Sequence, residues 1–220
     1  MQVSPTALQV GPGSATRALG INGQLGAPVS WSANKGYLTA GHVAQSVKAS
    51  VDDGNGKVIG KVAWVRTASA VQPQGCAGSS VDVAVIELQV GRPNNKGGIK
   101  STALAQPFSA LDVQTKKGVK TTRIVGTARW WYLPRPTGVT LTEIYLSEKD
   151  VTADGDSGGP VLLSAPGGQV IGHIEGGGKN TSCFQDIHHQ LAEVRKIQLS
   201  QTFRCSHRGI QWICSLLCSG

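Results

Sequence analysis

One short run of the sequence, ADGDSGGPVLL from Ala153 to Leu163, combines residue types that suit nucleophilic catalysis. It places Ser157 between an aspartate and two glycines, with an apolar strand pattern directly after them. Hydrolysis of an amide needs a nucleophile with an adjacent base, and donors already in place for the oxyanion. Glycines let the backbone turn tightly and let a substrate carbonyl approach it. We therefore expect Ser157 to be the nucleophile, with the N–H groups of Gly155 and Ser157 forming an oxyanion hole.

A serine nucleophile also needs a base and an acid that orients the base, and both residue types precede it. His42 ends an apolar run in GYLTAGHVA, and Asp82 opens the apolar stretch DVAVIEL. The chain order His42, Asp82, Ser157 is one of the three orders in which such triads occur. Asp52 and Asp53 are alternative orienting acids, although the surrounding DDGNG pattern is also typical of a turn.

The same serine also fits a second type of hydrolase. GDSGG matches the G-x-S-x-G elbow of α/β-hydrolases, in which an aspartate and a histidine follow the serine. Asp186 with His188 or His189 meets that order. The elbow requires alternating strands and helices upstream, however, and the sequence before Ser157 shows almost only strand patterns.

Short runs rich in valine, isoleucine, leucine and threonine predict an all-β protein. We predict strands at 27–32, 36–39, 57–65, 82–88, 121–132, 139–146, 160–163 and 169–174. Turn-forming clusters separate these strands, and the chain contains 29 glycines to build such turns. One amphipathic helix is predicted over 186–197, with Ile187, Leu191 and Val194 on its apolar face. The stretch Gly91 to Pro107 has little periodicity and is predicted to connect two halves.

Charge and composition exclude several partners. Lys and Arg total 21 against 13 Asp and Glu, a net charge of +8, but charged residues are only 15% of the chain and are scattered. Without an Arg-rich helix or a cluster of basic and aromatic residues, we expect no nucleic-acid binding. The first twenty residues lack a basic start followed by an apolar core, so we expect neither a signal peptide nor a membrane span there.

The C-terminal segment 200–220 differs from the rest. It holds three of the five cysteines, and Cys205, His207, Cys214 and Cys218 are a conceivable zinc set. Their spacing is not typical of zinc sites, so we expect no metal and no cofactor, and a poorly ordered extension.

The motifs GDSGGP, TAGH and DVAVI together resemble those of the trypsin/chymotrypsin-like serine endopeptidases. GQVIGHIEGGG and TSCFQDIHHQLAEV are similar to the last strands and helix of the bacterial streptogrisin-like branch. The resemblance implies two six-stranded antiparallel β-barrels and a C-terminal helix within one domain, 1–199. The first barrel would span about 20–95, the second about 105–185 and the helix about 186–197.

This resemblance also implies a function. Ser157 would attack a peptide carbonyl and form an acyl-enzyme, His42 would transfer the proton, and Asp82 would orient the imidazole. The expected partners are protein or peptide substrates, and the expected form is a secreted monomer. The compartment itself is left open, because we find no signal peptide.

In the resembled family, the substrate pocket is shaped by the residue six before the serine, by its neighbour, and by a later strand. Here these positions hold Val151, Thr152, His173, Glu175, Gly176 and Gly177. Because Val151 is not a carboxylate, the resemblance implies a preference for small or apolar side chains rather than Lys or Arg. Thr152 and His173 leave acidic specificity as an alternative.

Two departures from the family pattern concern the site itself. Glu175 occupies a position near the catalytic aspartate where relatives have a small hydroxyl residue; a second carboxylate there would raise one pKa or turn outward. If Glu175 points inward, it could disrupt the site. The alternative hypothesis is therefore a catalytically inactive protease-like binding module. In activated relatives a new N-terminal isoleucine binds the aspartate equivalent to Asp156. A cut before Ile21 would leave only 42 − 21 = 21 residues to His42, fewer than such relatives have. We therefore expect another partner for Asp156, a lysine or arginine of the second barrel.

Overall fold

The computed structural model describes residues 9–31, 34–68, 80–89, 92–93, 101–133, 139–166, 168–178 and 180–203. Its elements are β1 (Gln9–Val10), β2 (Ala15–Ala18), β3 (Ile21–Gln24), β4 (Pro28–Trp31), β5 (Asn34–Thr39), α1 (Gly41–Ala44), β6 (Ser50–Asp52), β7 (Val58–Arg66), β8 (Val83–Leu88), β9 (Arg92–Pro93), β10 (Ser101–Thr102), β11 (Ala110–Thr115), β12 (Gly118–Leu133), β13 (Val139–Ser147), β14 (Pro160–Leu163), β15 (Gln169–Gly178), β16 (Thr181–Asp186) and α2 (Ile187–Phe203). All eight predicted strands are present, so the all-β prediction is confirmed.

The second half of the chain forms a closed barrel. Its hydrogen-bonded order is β15, β14, β11, β12, β13 and β16, and β16 pairs with β15 again. These six strands are antiparallel to their neighbours, as predicted, and β10 adds to β15 in parallel. Alternating burial along β11 shows why the ring forms: Leu111, Val113 and Thr115 face inward while the residues between them are more exposed.

The first half forms a seven-stranded antiparallel sheet in the order β3, β2, β6, β7, β8, β5, β4. Its two end strands, β3 and β4, are consecutive in the chain and are separated only by residues 25–27. Gly26 N donates to Leu38 O at 2.7 Å, so the interruption itself is bonded to β5. This half-barrel corresponds to the six-stranded barrel predicted for this region, with one strand broken in two.

The helix α2 packs where the two sheets meet. Its buried Ile187 and Val194 share a core cluster with Leu38 and Val85 of the first sheet and Val170 of the second. The predicted helix over 186–197 is therefore present, and it continues to Phe203. Such burial of apolar side chains holds the two sheets together around the surface between them.

Residues 204–220 lie outside the described part of the chain, and the expectation for the C-terminal extension and its zinc set stays a prediction there. Within the part that is described, no helix has the length and apolar character needed to cross a membrane.

Candidate active site

The turn that carries Ser157 depends on glycines with left-handed backbone conformations. Gly155 has φ +86° and Gly158 has φ +83°, values that side-chain-bearing residues rarely adopt. A Cβ on Gly158 would also come within 2.8 Å of Ala40 N, two residues before His42. In addition, Gln24 N donates to Ser157 O at 2.8 Å. The turn of the second barrel is thus packed directly onto the first sheet beside His42.

His42 and Asp82 form a close side-chain pair. His42 lies on the short helix α1, and its Nδ1 contacts Asp82 Oδ2, which also accepts the His42 backbone N–H at 3.3 Å. Asp82, just before β8, is only 2% exposed. Burial by itself raises the pKa of Asp82, but the hydrogen bond and positive charge of His42 outweigh it, so the pKa is lowered. The predicted base and orienting acid are therefore brought together.

Asp82 is held by the second barrel as well as by His42. Its backbone N–H donates to Gln185 Oε1 at 2.9 Å, and the other amide atom of Gln185 donates to Ser80 O at 2.9 Å and Thr142 O at 2.8 Å. Ser80 and Thr142, whose carbonyl oxygens accept these bonds, are buried together with Gln185. The buried Gln185 on β16 thus fixes the start of β8 relative to the barrel that carries Ser157. Sequence reasoning missed Gln185, because a lone glutamine in a strand carries no chemical signal.

In the described part of the chain, the backbone hydrogen bonds around Ser157 leave the amides of Gly155 and Ser157 without an acceptor. The N–H groups of residues 156, 158 and 159 donate to carbonyl oxygens of Ala153, Ile174 and Asp156. The N–H groups of Gly155 and Ser157 have no acceptor among the described residues. Both residues line the cleft, so the two amides predicted to bind an oxyanion are not used by the fold itself.

A cleft of about 340 Å³ lies between the two barrels. The predicted site residues that line it are His42, Thr152, Gly155, Ser157, Glu175, Gly176 and Gly177. His42 from the first half and Ser157 from the second thus face one space, with Asp82 buried behind His42. Ile174 also lines this cleft and contributes apolar surface to it.

Two predicted pocket residues lie elsewhere. Val151 packs against the core of the second barrel, and its place in the cleft lining is taken by Asp150, which sequence reasoning missed. Asp150 Oδ1 accepts from Ser182 Oγ at 2.9 Å and from the backbone N–H and hydroxyl of Thr152 at 3.2 Å each. The family spacing indicated Val151, but the residue that lines the cleft is its neighbour Asp150. The cleft lining therefore contains a carboxylate.

His173 is the second residue placed differently. It is 0% exposed, its Nε2 accepts the Ala27 backbone N–H at 2.9 Å, and its Nδ1 lies 2.7 Å from Gln190 Oε1. With both ring nitrogens engaged inside the protein, His173 is not available to bind a substrate carboxylate. Burial lowers its pKa to about 4, with the hydrogen bond to Gln190 opposing the shift.

This buried histidine predicts how stability depends on pH. Its folded-state pKa, about 4, is below the ordinary value of 6.5, so the unfolded chain binds a proton first as the pH falls. The free energy of unfolding should therefore decrease between about pH 6.5 and pH 4, by up to about 3 kcal/mol from this group. Urea unfolding of wild type and His173→Gln across this range should show the pH slope reduced by about one proton in the variant.

The matched control for that measurement is His188→Gln, which removes an exposed histidine from α2 and should leave the slope unchanged. A wild-type slope retained in His173→Gln would show that His173 does not remain neutral in the folded protein.

Asp156 is satisfied without a cationic side chain. It is 2% exposed, and its two oxygens accept the backbone N–H groups of Lys116 at 2.8 Å and Ala153 at 2.9 Å. The expected lysine of the second barrel is present, but it contributes its backbone amide, while its ammonium group donates to Asp154 O. The turn before Ser157 is thus fixed by hydrogen bonds within the second barrel.

The alternative site residues have other partners. Asp52 pairs with Arg17 at 3.1 Å, and Asp53 accepts backbone N–H groups of its own turn, including Asn55 N at 2.9 Å. Asp186 accepts the Tyr145 hydroxyl at 2.7 Å and the His189 backbone N–H at 2.9 Å. None of these acids lines the cleft with Ser157. The structure therefore does not assemble the α/β-hydrolase arrangement.

Glu175 points inward, the outcome that the sequence left open. It is 3% exposed, and one atom each of His42, Asp82 and Glu175 lie within 4.8 Å of one another. Burial and the negative charge of Asp82 raise the pKa of Glu175 well above its ordinary value.

Comparisons with solved structures agree with this architecture. Thermobifida fusca protease A shares 19% identity over 86% of this chain and 97% of its own, with a TM-score of 0.65. A Nocardiopsis protease shares 20% identity over 84% and 96%, with a TM-score of 0.64. A glutamic acid specific serine protease that uses a histidine triad in substrate binding shares 16% identity over 84% and 98%, with a TM-score of 0.65.

These likenesses establish the fold as the chymotrypsin-like double β-barrel of bacterial serine proteases, which confirms the predicted fold class. No family model matches the sequence, and no curated protein matches it significantly.

Proposed function

We propose that this protein is a serine endopeptidase that cleaves peptide bonds through an acyl-enzyme. Ser157 attacks the carbonyl carbon while His42 accepts its proton, and His42 then returns that proton to the leaving amine. Asp82 keeps the proton of the imidazole on Nδ1, so that Nε2 is the base. Water then attacks the acyl-enzyme with His42 again as the base, which releases the acyl group and regenerates the serine.

The single observation that carries this proposal is the convergence of His42, paired with buried Asp82, and Ser157 on one cleft. The two unused amides of Gly155 and Ser157 support it, because charge develops on the carbonyl oxygen during attack. A fold built only to bind peptides would have no need for a buried carboxylate behind the histidine.

A fluorophosphonate probe tests this proposal, because it reacts only with an activated serine. We expect the wild-type protein to be labelled at Ser157 and to cleave members of a peptide library. A folded protein that is neither labelled nor active would favour the inactive binding module instead.

The cleft lining favours a basic substrate side chain. Asp150 Oδ1 is bonded to Ser182 and Thr152, whereas Oδ2 has no partner among the described residues. Asp154 also lines the cleft, and none of the described lining residues is lysine or arginine, although the protein has a net charge of +8. A carboxylate with a free oxygen in a cleft complements an ammonium or guanidinium group.

We therefore expect peptides with Lys or Arg before the scissile bond to be cleaved at least tenfold more efficiently than those with Leu. Asp150→Asn should lower kcat/KM for the Arg peptide by about tenfold or more and leave the Leu peptide nearly unchanged. Glu148→Gln, which removes an exposed carboxylate outside the cleft lining, is the matched control. Equal or better cleavage after small or apolar residues would instead support the preference inferred from Val151.

A further inference from the structure

A line of buried polar side chains connects the two barrels behind the catalytic residues. It begins at the Ala27 backbone N–H and continues through His173, Gln190 and Glu175 to Asp82. The four side chains are 0–3% exposed. Buried polar groups of this kind require hydrogen-bond partners, so the donors and acceptors along the line must alternate consistently.

The direction of each hydrogen bond follows from the first. The Ala27 N–H is a donor, so His173 Nε2 accepts and its proton resides on Nδ1. His173 Nδ1 then donates to Gln190 Oε1 at 2.7 Å, which orients the amide of Gln190. Gln190 Nε2 consequently donates to Glu175 Oε1 at 2.9 Å. Only one oxygen of Glu175 therefore has a donor facing it.

The other oxygen, Glu175 Oε2, is buried and finds no donor among the described residues. An oxygen of this carboxyl group lies within 4.8 Å of an Asp82 oxygen, and Asp82 is itself an acceptor of the His42 Nδ1 proton. Two facing carboxylate oxygens without a proton would repel each other in a site from which water is excluded. A proton on Oε2 converts that repulsion into a hydrogen bond.

We propose that Glu175 is held as a neutral carboxylic acid whose hydroxyl donates a hydrogen bond to Asp82, which makes it a positioning residue for the His42–Asp82 pair. The role in positioning rests on the proposed function, whereas the protonation state of Glu175 does not. The inward-pointing Glu175 then stabilises the His42–Asp82 pair instead of disrupting it. It supplies from a longer side chain the kind of O–H donor that a small hydroxyl residue would offer.

The groups around Glu175 are consistent with a neutral acid. The titratable residues that face it are Asp82, His42 and Cys183, with His173 reached through Gln190. Burial raises the pKa of the Cys183 thiol, so it is neutral too. His173 is neutral because burial lowers its pKa to about 4. Among the described residues given above as facing Glu175, only His42 can carry a positive charge, when it is protonated.

Glutamine is the informative replacement. In Glu175→Gln, Oε1 can still accept from Gln190, and Nε2 can donate to Asp82 as the proposed hydroxyl does. Leucine at this position has similar bulk and offers no donor. The informative set is therefore wild type, Glu175→Gln, Glu175→Leu and the surface control Glu148→Gln, with thermal unfolding as the check on folding.

The first measurement is the pKa of His42 by NMR titration, which needs no catalytic activity. If Glu175 is neutral, Glu175→Gln leaves the pKa of His42 unchanged. If Glu175 is an anion, removing its charge lowers the pKa of His42 by about one unit. That result would overturn the proposal. A change of the His42 signals that Zn²⁺ causes, a chelator reverses and Glu175→Gln abolishes would overturn it too, because Glu175 would then be a metal-binding carboxylate.

The second measurement is kcat/KM across pH. We expect Glu175→Gln to stay within about threefold of wild type and Glu175→Leu to lose about tenfold or more, mainly in kcat. Equal losses in both folded variants would contradict a donor role. If the wild-type protein is inactive and unlabelled, the proposed function fails, yet the titration of His42 still decides the protonation of Glu175. The same titration of Glu175→Gln decides it if the leucine variant does not fold.

Discussion

Replacing Ser157 with alanine is expected to abolish fluorophosphonate labelling and to lower the rate of peptide hydrolysis by about 10⁴-fold or more. The substitution removes the only atom that can form the acyl-enzyme, while the cleft and the His42–Asp82 pair remain. Ser157 is half-buried and its side chain is not part of the core, so the fold should be retained. Labelling, steady-state hydrolysis and thermal unfolding measure these three outcomes.

A nearby serine provides the control for that experiment. Ser164 follows β14 on the same barrel and does not line the cleft. Its hydroxyl donates a hydrogen bond to Asp112, with a distance of 2.5 Å between the two oxygens. Ser164→Ala should keep full labelling and activity. Persistent labelling in Ser157→Ala, or its loss in Ser164→Ala, would show that the nucleophile has been assigned to the wrong residue.

The sequence predicted the strands that contain continuous apolar runs, and it missed others whose pattern is shorter or more polar, such as β11 and β16. Strands such as β5 and β8 carry continuous runs of buried apolar residues, which are visible in the sequence. The strand β16, TSCFQD, is almost entirely buried although most of its residues are polar. Its Ser182 and Gln185 bind Asp150 and the start of β8, contacts that exist only after folding. A polar strand at a site therefore has no hydrophobic periodicity to reveal it.

The candidate site shows the same division. Ser157, His42 and Asp82 were selected because a nucleophile, a base and an acid in this chain order, each within its own motif, rarely coincide by chance. The structure brings all three to one region. The pocket residues were selected by spacing alone. A shift of one residue exchanges the core-facing Val151 for the cleft-facing Asp150, because successive side chains of an extended segment point to opposite sides.

The inward orientation of Glu175 could not be derived from the sequence either. Whether a carboxyl group is buried or turned to water depends on the partners that surround it. Here those partners are Gln190, on a helix fifteen residues later, and Asp82, on the other barrel. Only the folded arrangement shows that Glu175 is enclosed between them.

Changing Asp82 to asparagine is expected to reduce kcat/KM at neutral pH by about 10³- to 10⁴-fold without preventing folding. Asp82 accepts both the Nδ1 proton and the backbone N–H of His42. An asparagine amide can instead present an N–H to Nδ1, which moves the imidazole proton to Nε2 and leaves no base facing Ser157. The rate of fluorophosphonate labelling should fall in parallel with hydrolysis, and NMR should locate the proton on Nε2.

The matched control is Asp53→Asn, because Asp53 was one of the two alternative orienting acids. Its carboxylate accepts backbone N–H groups of the β6–β7 turn, among them Lys57 N at 3.2 Å, and has no other donor among the described residues. Asparagine can accept the same hydrogen bonds, so activity should stay within about twofold of wild type. A loss in Asp53→Asn as large as that in Asp82→Asn would show that the effect comes from general damage to the first sheet. Full activity in Asp82→Asn would mean that His42 works as a base without its buried partner, and the triad would then be reduced to a His42–Ser157 dyad.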